Sequence, residues 1–501
     1  MYAHVATLAV RYTLERMSKK RDYYMRLGLL LAACLAGYVP VIQNAAAKDT
    51  LQTLPPPVDQ ELARDIFKGL VELNTTHSHG TTPAAEAIQK WLSRAGYTPS
   101  DVTLIAPPEH PKSGNLVVRL RAKARSHSLA PILFLGHLDV VEAKAEDWSS
   151  DPFKLTEKDG WFYGRGTIDM KDGDAALVET LIRLKREHYV PTRDVIVAFT
   201  ADEEAGGDAN GPAYLLKEHR DLIEAGMVVN LDGGGGTTKN GALQFFELGT
   251  SEKNYVTFTL ETTSPGGHGS LPGPDNAIYR LAQALGRIEA LKFPVTLTST
   301  TRATFDKLAG LSTGTKAADL RAVSQSPVDS SAAERLSEDP WSNAQLRTTC
   351  VATLISGGHA ENALPQRAKA TIQCRMLPGD TEGHVQALLS EAVGDSRMTL
   401  TLDAKPIISP ESPPTPKILK QVATLAHSMW PGVPVMPTMA TGFSDDRQTR
   451  NAGIPSYDIS GIWIEEGENR AHGRDERVSV RAFDESVEFT YRLMKSMGNS
   501  R

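Results

Sequence analysis

Cysteine is scarce in this chain, with three in 501 residues. That excludes a disulfide framework and an all-thiolate zinc finger, so a metal bound here needs histidine and carboxylate ligands. Positive charge is not in excess either. Lysine and arginine number 54 against 60 aspartate and glutamate, a formal net charge of −6 with no long basic block, which argues against nucleic acid as the main partner. There is no repeat of fixed period and, beyond Pro55, no low-complexity tract, which removes solenoids and propellers. The 40 glycines and 30 prolines follow no period, which rules out fibrous and wholly disordered classes. Long apolar runs are missing as well. Residues 27–41 form a short run broken by Gly37 and Pro40, too short to span a bilayer. The rest, 41% apolar and 23% charged, is enough for two or three domains with at least one large core.

Residues 1–47 read as an export signal. Lys19, Lys20, Arg21 and Arg26 precede the apolar run, which leads into Asn44-Ala45-Ala46-Ala47-Lys48. This is the charged start, apolar middle and small-residue end of such segments. Met25 is an alternative start that gives a more compact signal. Leu31-Ala32-Ala33-Cys34 also looks like a lipoprotein cleavage box with Cys34 lipidated, while a plain cut after Ala47 is the preferred processing. Both routes predict an exported protein, periplasmic or secreted.

Along the mature chain the hydrophobic period changes twice. Residues 59–73 place Leu62, Ile66, Leu70 and Leu73 on one helical face, and residues 83–96 do the same with Ile88, Trp91 and Leu92. Continuous apolar runs follow at 131–135, 195–199 and 227–229, each the pattern of a strand buried on both faces, with a helical pattern at 171–188 between the first two. Strands alternating with helices predict an α/β fold with a largely parallel sheet. From about Glu252 strict alternation takes over: Val256, Phe258 and Leu260 face one way, Thr257, Thr259 and Glu261 the other. A helix at 276–291, a polar irregular stretch at 299–343, strands at 348–355 and 368–376 and a helix at 382–393 complete an α+β insert. The division is therefore 48–251 for the first part of the catalytic domain, 252–403 for a lid and dimerisation domain, and 404–501 for the second catalytic part. Cys350 and Cys374, on two lid strands, are read as small core residues in preference to a bridge.

Each buried apolar run ends in acidic or histidine residues. Leu135 leads into Gly136-His137-Leu138-Asp139, Phe199 into Ala201-Asp202-Glu203-Glu204, and Val229 into Asn230-Leu231-Asp232. In an open α/β sheet these carboxyl ends form the ligand crevice. Asp169, in the loop 164–172, is aimed at the same place. Four carboxylates converging without a cation would repel one another and be pushed toward protonation. A divalent metal removes that penalty. His137, Asp169, Glu204, Asp232 and the later His472 supply the nitrogen and oxygen donors zinc accepts, and two ions sharing a bridging carboxylate need about five such side chains. Any one of these residues alone reads as a cap or turn group; together at strand ends they read as a metal centre.

Gly136-His137-Leu138-Asp139-Val140-Val141, the segment 164–173, Asp202-Glu203-Glu204 and His472-Gly473 resemble the motifs of the co-catalytic zinc peptidases: acetylornithine deacetylase, succinyl-diaminopimelate desuccinylase, aminoacylase and glutamate carboxypeptidase. The resemblance covers nearly all of the mature chain, including lid pieces Gly266-Gly267-His268-Gly269-Ser270 and Gly357-Gly358-His359-Ala360-Glu361-Asn362, and the long lid is similar to the carboxypeptidase S-like branch. It implies two zinc ions, replaceable by Co²⁺ or Mn²⁺ in vitro. His137 and Asp232 would hold one, Glu204 and His472 the other, and Asp169 would bridge them. It further implies that Asp139 orients His137, that Glu203 is the proton carrier acting on the bridging water, and that the Asp169–Met170 peptide is cis. Arg375 and Asn362 would contact the substrate, and His268 would reach from one subunit's lid into the other subunit's active site in a homodimer. The expected activity is hydrolysis of an amide bond in a small peptide or N-acyl amino acid. An aminopeptidase or dipeptidase on the same fold is the alternative, against which Arg375 weighs; an inactive binding module would lack Glu203 or a ligand, and none is missing. The late loop Thr441-Gly442-Phe443-Ser444-Asp445-Asp446-Arg447 departs from the family's Thr-Asp pair, leaving its substrate contacts open.

Overall fold

The structure is a computed structural model that describes residues 53–123 and 129–500. The expected signal, its alternative start at Met25 and Cys34 lie outside the described residues. Among the described residues no helix is long and apolar enough to cross a membrane.

The large sheet has parallel strands at its centre. Val195–Thr200, Ile132–His137, Met227–Asn230 and Ser456–Asp458 lie side by side, each parallel to its neighbour. Antiparallel strands flank them, Asn115–Leu120 on one side and Ala242–Glu252 on the other. The apolar runs form central strands because alternate residues can be buried on opposite faces. Ile132 and Phe134 pack with Phe67, Leu177, Leu181, Phe483 and Phe489 of the helices Pro57–Val71, Lys171–Arg186 and Val480–Gly498. Leu133 and Leu135 point into the second layer, with Leu215, Ile223 and Ile454. Each such side chain contributes about 1.5–3 kcal/mol by leaving water. Ser456–Asp458 follows the lid in sequence yet pairs with Met227–Asn230, so the sheet is discontinuous in the chain.

A separate four-stranded antiparallel sheet, in the order Thr349–Gly357, Arg367–Met376, Asn254–Thr263, Met398–Leu402, makes the lid. One face is covered by the helices Ala277–Ala290 and Glu382–Val393 around a core that includes Phe258, Leu281, Ile372 and Leu389. The opposite face is open, as the strict alternation of Asn254–Thr263 requires. The two chain crossings into this sheet are tied together: Ser409 donates its backbone N–H to Asn254 Oδ1 (2.6 Å) and its hydroxyl to Glu252 (2.8 Å).

Two expectations are corrected. The stretch 299–343 is not irregular but helical, as Ser299–Leu311, Gly314–Ser324, Ser330–Leu336 and Pro340–Leu346. Side-chain caps start three of them, from Thr298, Asp329 and Asp339, satisfying backbone N–H groups that a helix end leaves open. Phe305, Leu320, Val323 and Leu346 give them a core of their own. They pack on the strand Val435–Ala440 of the large sheet, where Thr304 Oγ1 donates to Pro437 O (2.7 Å) and Gln345 Nε2 to Met439 O (3.1 Å). Cys350 and Cys374 are not merely core residues: they face each other on paired strands and form a disulfide.

Candidate metal centre

His137 ends its strand, and Nε2 lies 3.1 Å from Asp169 Oδ1 and 3.4 Å from Asp232 Oδ1. His472 Nε2 lies 3.0 Å from Asp169 Oδ2 and 2.9 Å from Glu204. The two oxygens of Asp169 therefore face different histidines. Two groups of donor atoms result, His137/Asp169/Asp232 and Asp169/Glu204/His472, each within 4.8 Å and joined through Asp169. The five sequence-predicted ligands are thus brought together from one strand end and four loops.

The loops are fixed by buried polar contacts. Asp139 acts through two groups. Its backbone carbonyl accepts a hydrogen bond from His137 Nδ1–H (3.0 Å), with Nε2 facing the carboxylates. Its carboxylate lies 3.7 Å from Nδ1 and accepts the backbone N–H groups of Glu203 (3.1 Å) and Glu204 (3.0 Å), fixing the turn that carries both glutamates. Arg165 pairs with buried Glu476 (2.6 Å), whose other oxygen accepts Ile168 N–H (2.9 Å), and this locks the loop before Asp169. The Asp169–Met170 peptide is cis, as expected.

The electrostatics are those of a site with excess negative charge. Burial works to lower the His137 imidazolium, yet Asp232, Asp169 and Asp139 raise it well above its ordinary range. Hydrogen bonds to Asp169 and Glu204 push His472 up to about 10. Burial lifts the Asp139 carboxyl to about 7. Glu203 is raised well above the usual carboxylate range by burial, reinforced by Asp232, Asp445 and Glu204 and opposed by His137. Its Oε1 is buried without a hydrogen-bond partner. Two imidazoles and three carboxylates sharing one residue fit a pair of divalent cations, which would take the place of the protons this potential attracts.

The cleft over these residues, about 510 Å³, is lined by Asp169, Glu203, Glu204, Asp232, His472 and Arg375. Arg375 comes from the open face of the lid sheet, and its Nη1 is buried without a partner. His268 and Asn362 are not brought to the cleft. His268 sits on an exposed two-residue strand paired with Ala363–Leu364, and the Asn362 carbonyl accepts Gly269 N–H (2.6 Å). Residues that sequence reasoning gave no role lie close by. Asp445 is buried, accepting from Thr200 (2.9 Å) and Asn210 (2.8 Å), and Phe443 lines the cleft. Their signal was the glycine loop after the strand Val435–Ala440, which looked only like a departure from the family pattern.

The model of Peptidase family M20/M25/M40 matches residues 133–496. The human N-fatty-acyl-amino acid synthase/hydrolase PM20D1 is 30% identical over 380 residues, 74% of this chain and 74% of its own length. The probable carboxypeptidase S-like 2 of Dictyostelium discoideum is 30% identical over 390 residues, 75% of this chain and 73% of its own. The solved M20 family metallo-carboxypeptidase Sso-CP2 from Sulfolobus solfataricus shares the fold with a TM-score of 0.64 at 16% identity, over 87% of this chain and 99% of that one. The chain belongs to peptidase family M20/M25/M40 and is a hydrolase of that metallopeptidase and amidohydrolase family.

Proposed function

We propose that this enzyme hydrolyses the amide bond of an N-acyl amino acid or small peptide beside a free carboxylate, as an aminoacylase or carboxypeptidase using two zinc ions. The observation that carries the reading is the pair of donor groups joined at Asp169, each Asp169 oxygen facing its own histidine. His137 and Asp232 would hold one ion, Glu204 and His472 the other, with Asp169 between. Such ions supply Lewis acidity to a carbonyl and make water acidic enough to react near neutral pH. Glu203 takes the proton from the attacking water and delivers it to the leaving nitrogen. Its buried, unpartnered oxygen in the cleft supports this, because it is left to bond a water or a leaving nitrogen held over the donor groups. Arg375 grips the substrate carboxylate, and Asn362 joins the substrate contacts when the lid moves. The relatives' activities, an N-fatty-acyl-amino acid synthase/hydrolase and a probable carboxypeptidase S-like protein, agree with this.

His268 completes the site from the lid of a second subunit. Its Nδ1 is engaged by Ser270, 3.2 Å from the backbone N–H and 2.7 Å from Oγ, which leaves Nε2 to face a carbonyl oxygen on which charge develops. Dimerisation through the lid is supported by the edge strand Thr349–Gly357, which exposes Val351, Leu354 and Ile355. Export, with Cys34 as the lipid site if the chain is anchored, draws its support from the Cys350–Cys374 disulfide, a bond typical of oxidising compartments, which bears on export alone.

The test compares N-acyl amino acids, their carboxamides and dipeptides, before and after chelation, with elemental analysis of the metal. Zinc near two per chain, activity abolished by chelation and restored by zinc, and a roughly 10- to 100-fold loss on amidating the carboxylate are expected. Equal turnover of the carboxamide would overturn the carboxylate requirement.

A further inference from the structure

A second cavity of about 710 Å³ adjoins the metal-ligand cleft, and the two share Arg375 and Phe443 in their walls. Its charge is unbalanced. Lys253, Arg375, Lys405 and Arg447 line it, against the carboxylates of Glu252 and Asp403. Neither acid neutralises the inner cations. Glu252 is engaged by Arg450 (3.2 Å), Ser409 (2.8 Å) and Ser444 N–H (2.7 Å), and Asp403 is exposed and accepts from Thr259 (2.7 Å). Among the described residues no ion pair involves Lys253, Arg375 or Arg447.

These three cations are also incompletely satisfied. Lys253 is fully buried and donates to Arg347 O (2.9 Å) and Thr349 Oγ1 (3.2 Å), neither of them charged. Arg375 Nη1 and Arg447 Nε are buried atoms without partners. Burial, with Arg375 beside it, pulls the Lys253 ammonium down to about 7. Buried cations are ordinarily paired, and like charges set side by side without a counter-ion are costly. An anion from outside removes that cost.

The aromatic residues define how the cations are spread. The Arg447 guanidinium lies 4.0 Å and the Arg375 guanidinium 5.8 Å from the Phe443 ring centre, and Arg375 also lies 5.2 Å from Tyr255. Two guanidinium groups set around one ring give two donor forks, enough to meet two carboxylates of one substrate. Because Arg375 borders both cavities, a substrate whose main carboxylate meets it can extend a side chain toward Arg447.

We propose that this cavity receives an acidic side chain: the amine half of the substrate is an aspartate- or glutamate-type amino acid, its α-carboxylate on Arg375 and its side-chain carboxylate on Arg447, with Lys253 adding positive potential from behind. This rests on the amide-hydrolase reading and narrows it to one substrate class. Arg447 becomes the specificity-determining residue, in the first turn of the helix Asp446–Asn451 that follows the late glycine loop.

The experiment compares kcat/KM of the wild-type enzyme for N-acetylglutamate and for its near-isostere N-acetylglutamine. A preference of at least roughly tenfold for the acid is expected, since a charge-assisted bond is lost in the amide. Arg447→Gln should collapse that ratio to near unity, and Lys253→Met should reduce it. Equal or better turnover of the glutamine or phenylalanine derivative by the wild type, or an unchanged ratio in a folded Arg447→Gln, would overturn the proposal. Calorimetric titration of the metal-loaded enzyme with glutamate and with glutamine tests the cavity without turnover. Tighter binding of glutamate supports it and equal binding refutes it, even if no N-acyl amino acid is cleaved and the amide-hydrolase reading itself fails.

Discussion

The large sheet and the lid sheet place functional side chains by different means. In the large sheet the central strands are apolar on both faces, so chemistry appears only where a strand stops: His137 at the end of Ile132–His137, Glu203 and Glu204 just beyond Val195–Thr200, Asp232 just beyond Met227–Asn230. In the lid one face is covered and one is open, so a polar residue can project from within a strand as well as from beyond its end. Arg375 does so, in the alternating strand Arg367–Met376 opposite Tyr255. The first arrangement concentrates negative charge in a crevice that attracts protons or divalent cations. The second spreads single cationic or polar groups over a surface that a substrate can cross.

The largest expected effect lies at the strand ends. Glu203→Gln should keep the fold and two metals per chain, by elemental analysis, while kcat falls by ~10²–10⁴-fold or more, because only proton transfer is removed. Normal turnover would sink the assignment. The lid's contribution is next. His268→Ala should lower kcat/KM by ~10²–10³-fold if its Nε2–H meets the developing oxyanion. Mixing inactive His268→Ala and Glu203→Gln subunits should then restore part of the activity through hybrid sites, and no recovery would place His268 outside a shared site. A third test addresses the open edge of the lid. Leu354→Lys with Ile355→Glu should shift the protein from dimer to monomer in sedimentation velocity, because charges on an edge strand oppose pairing; a monomeric wild type would remove this surface from the dimer reading.

The smallest effect returns to the large sheet, away from its strand ends. Glu179 is buried in the helix Lys171–Arg186 with both carboxylate oxygens unpartnered, and burial, aided by Asp59 and Glu488 against Arg183 and Arg186, raises it from 4.5 to about 8. A raised carboxyl keeps its proton in the folded state while the unfolded chain has released it, so its stabilisation is complete below 4.5 and is lost as pH rises toward 8. Glu179→Gln should therefore gain on the wild type across that window, by on the order of 1–3 kcal/mol in thermal melts at pH 5 and pH 8. A pH-independent difference would contradict the buried, neutral state.

What was legible in the sequence follows the same division. Continuous apolar runs announce buried strands, and the residues just past them announce the crevice, so His137, Glu204 and Asp232 are readable from spacing and type, while Asp169 and His472 join them from loops that follow no such run. Strict alternation announces the lid strand Asn254–Thr263. The helices within 299–346 are hidden because they are short, rich in threonine and serine, and bury a core of their own without a clear apolar stripe. The Cys350–Cys374 bond is hidden because it depends on register, which places Cys350 opposite Cys374 only once the strands pair. The carbonyl of Asp139, rather than its side chain, accepts the shorter hydrogen bond from His137 Nδ1–H, and no residue type can announce a backbone atom. The cationic cavity draws Lys253, Arg375 and Arg447 from three distant segments, none of which carries a motif for it.

The pairing of Ser456 with Val228 sets a condition on how this enzyme comes into being. A growing chain that has made its first apolar strands cannot finish the sheet, because the strand that belongs beside Met227–Asn230 is still to be synthesised. His472 comes later still. Until that segment arrives the donor group Asp169/Glu204/His472 is incomplete. The same arrangement makes folding depend on a distant contact that forms slowly, and it leaves an apolar strand edge waiting meanwhile for its partner.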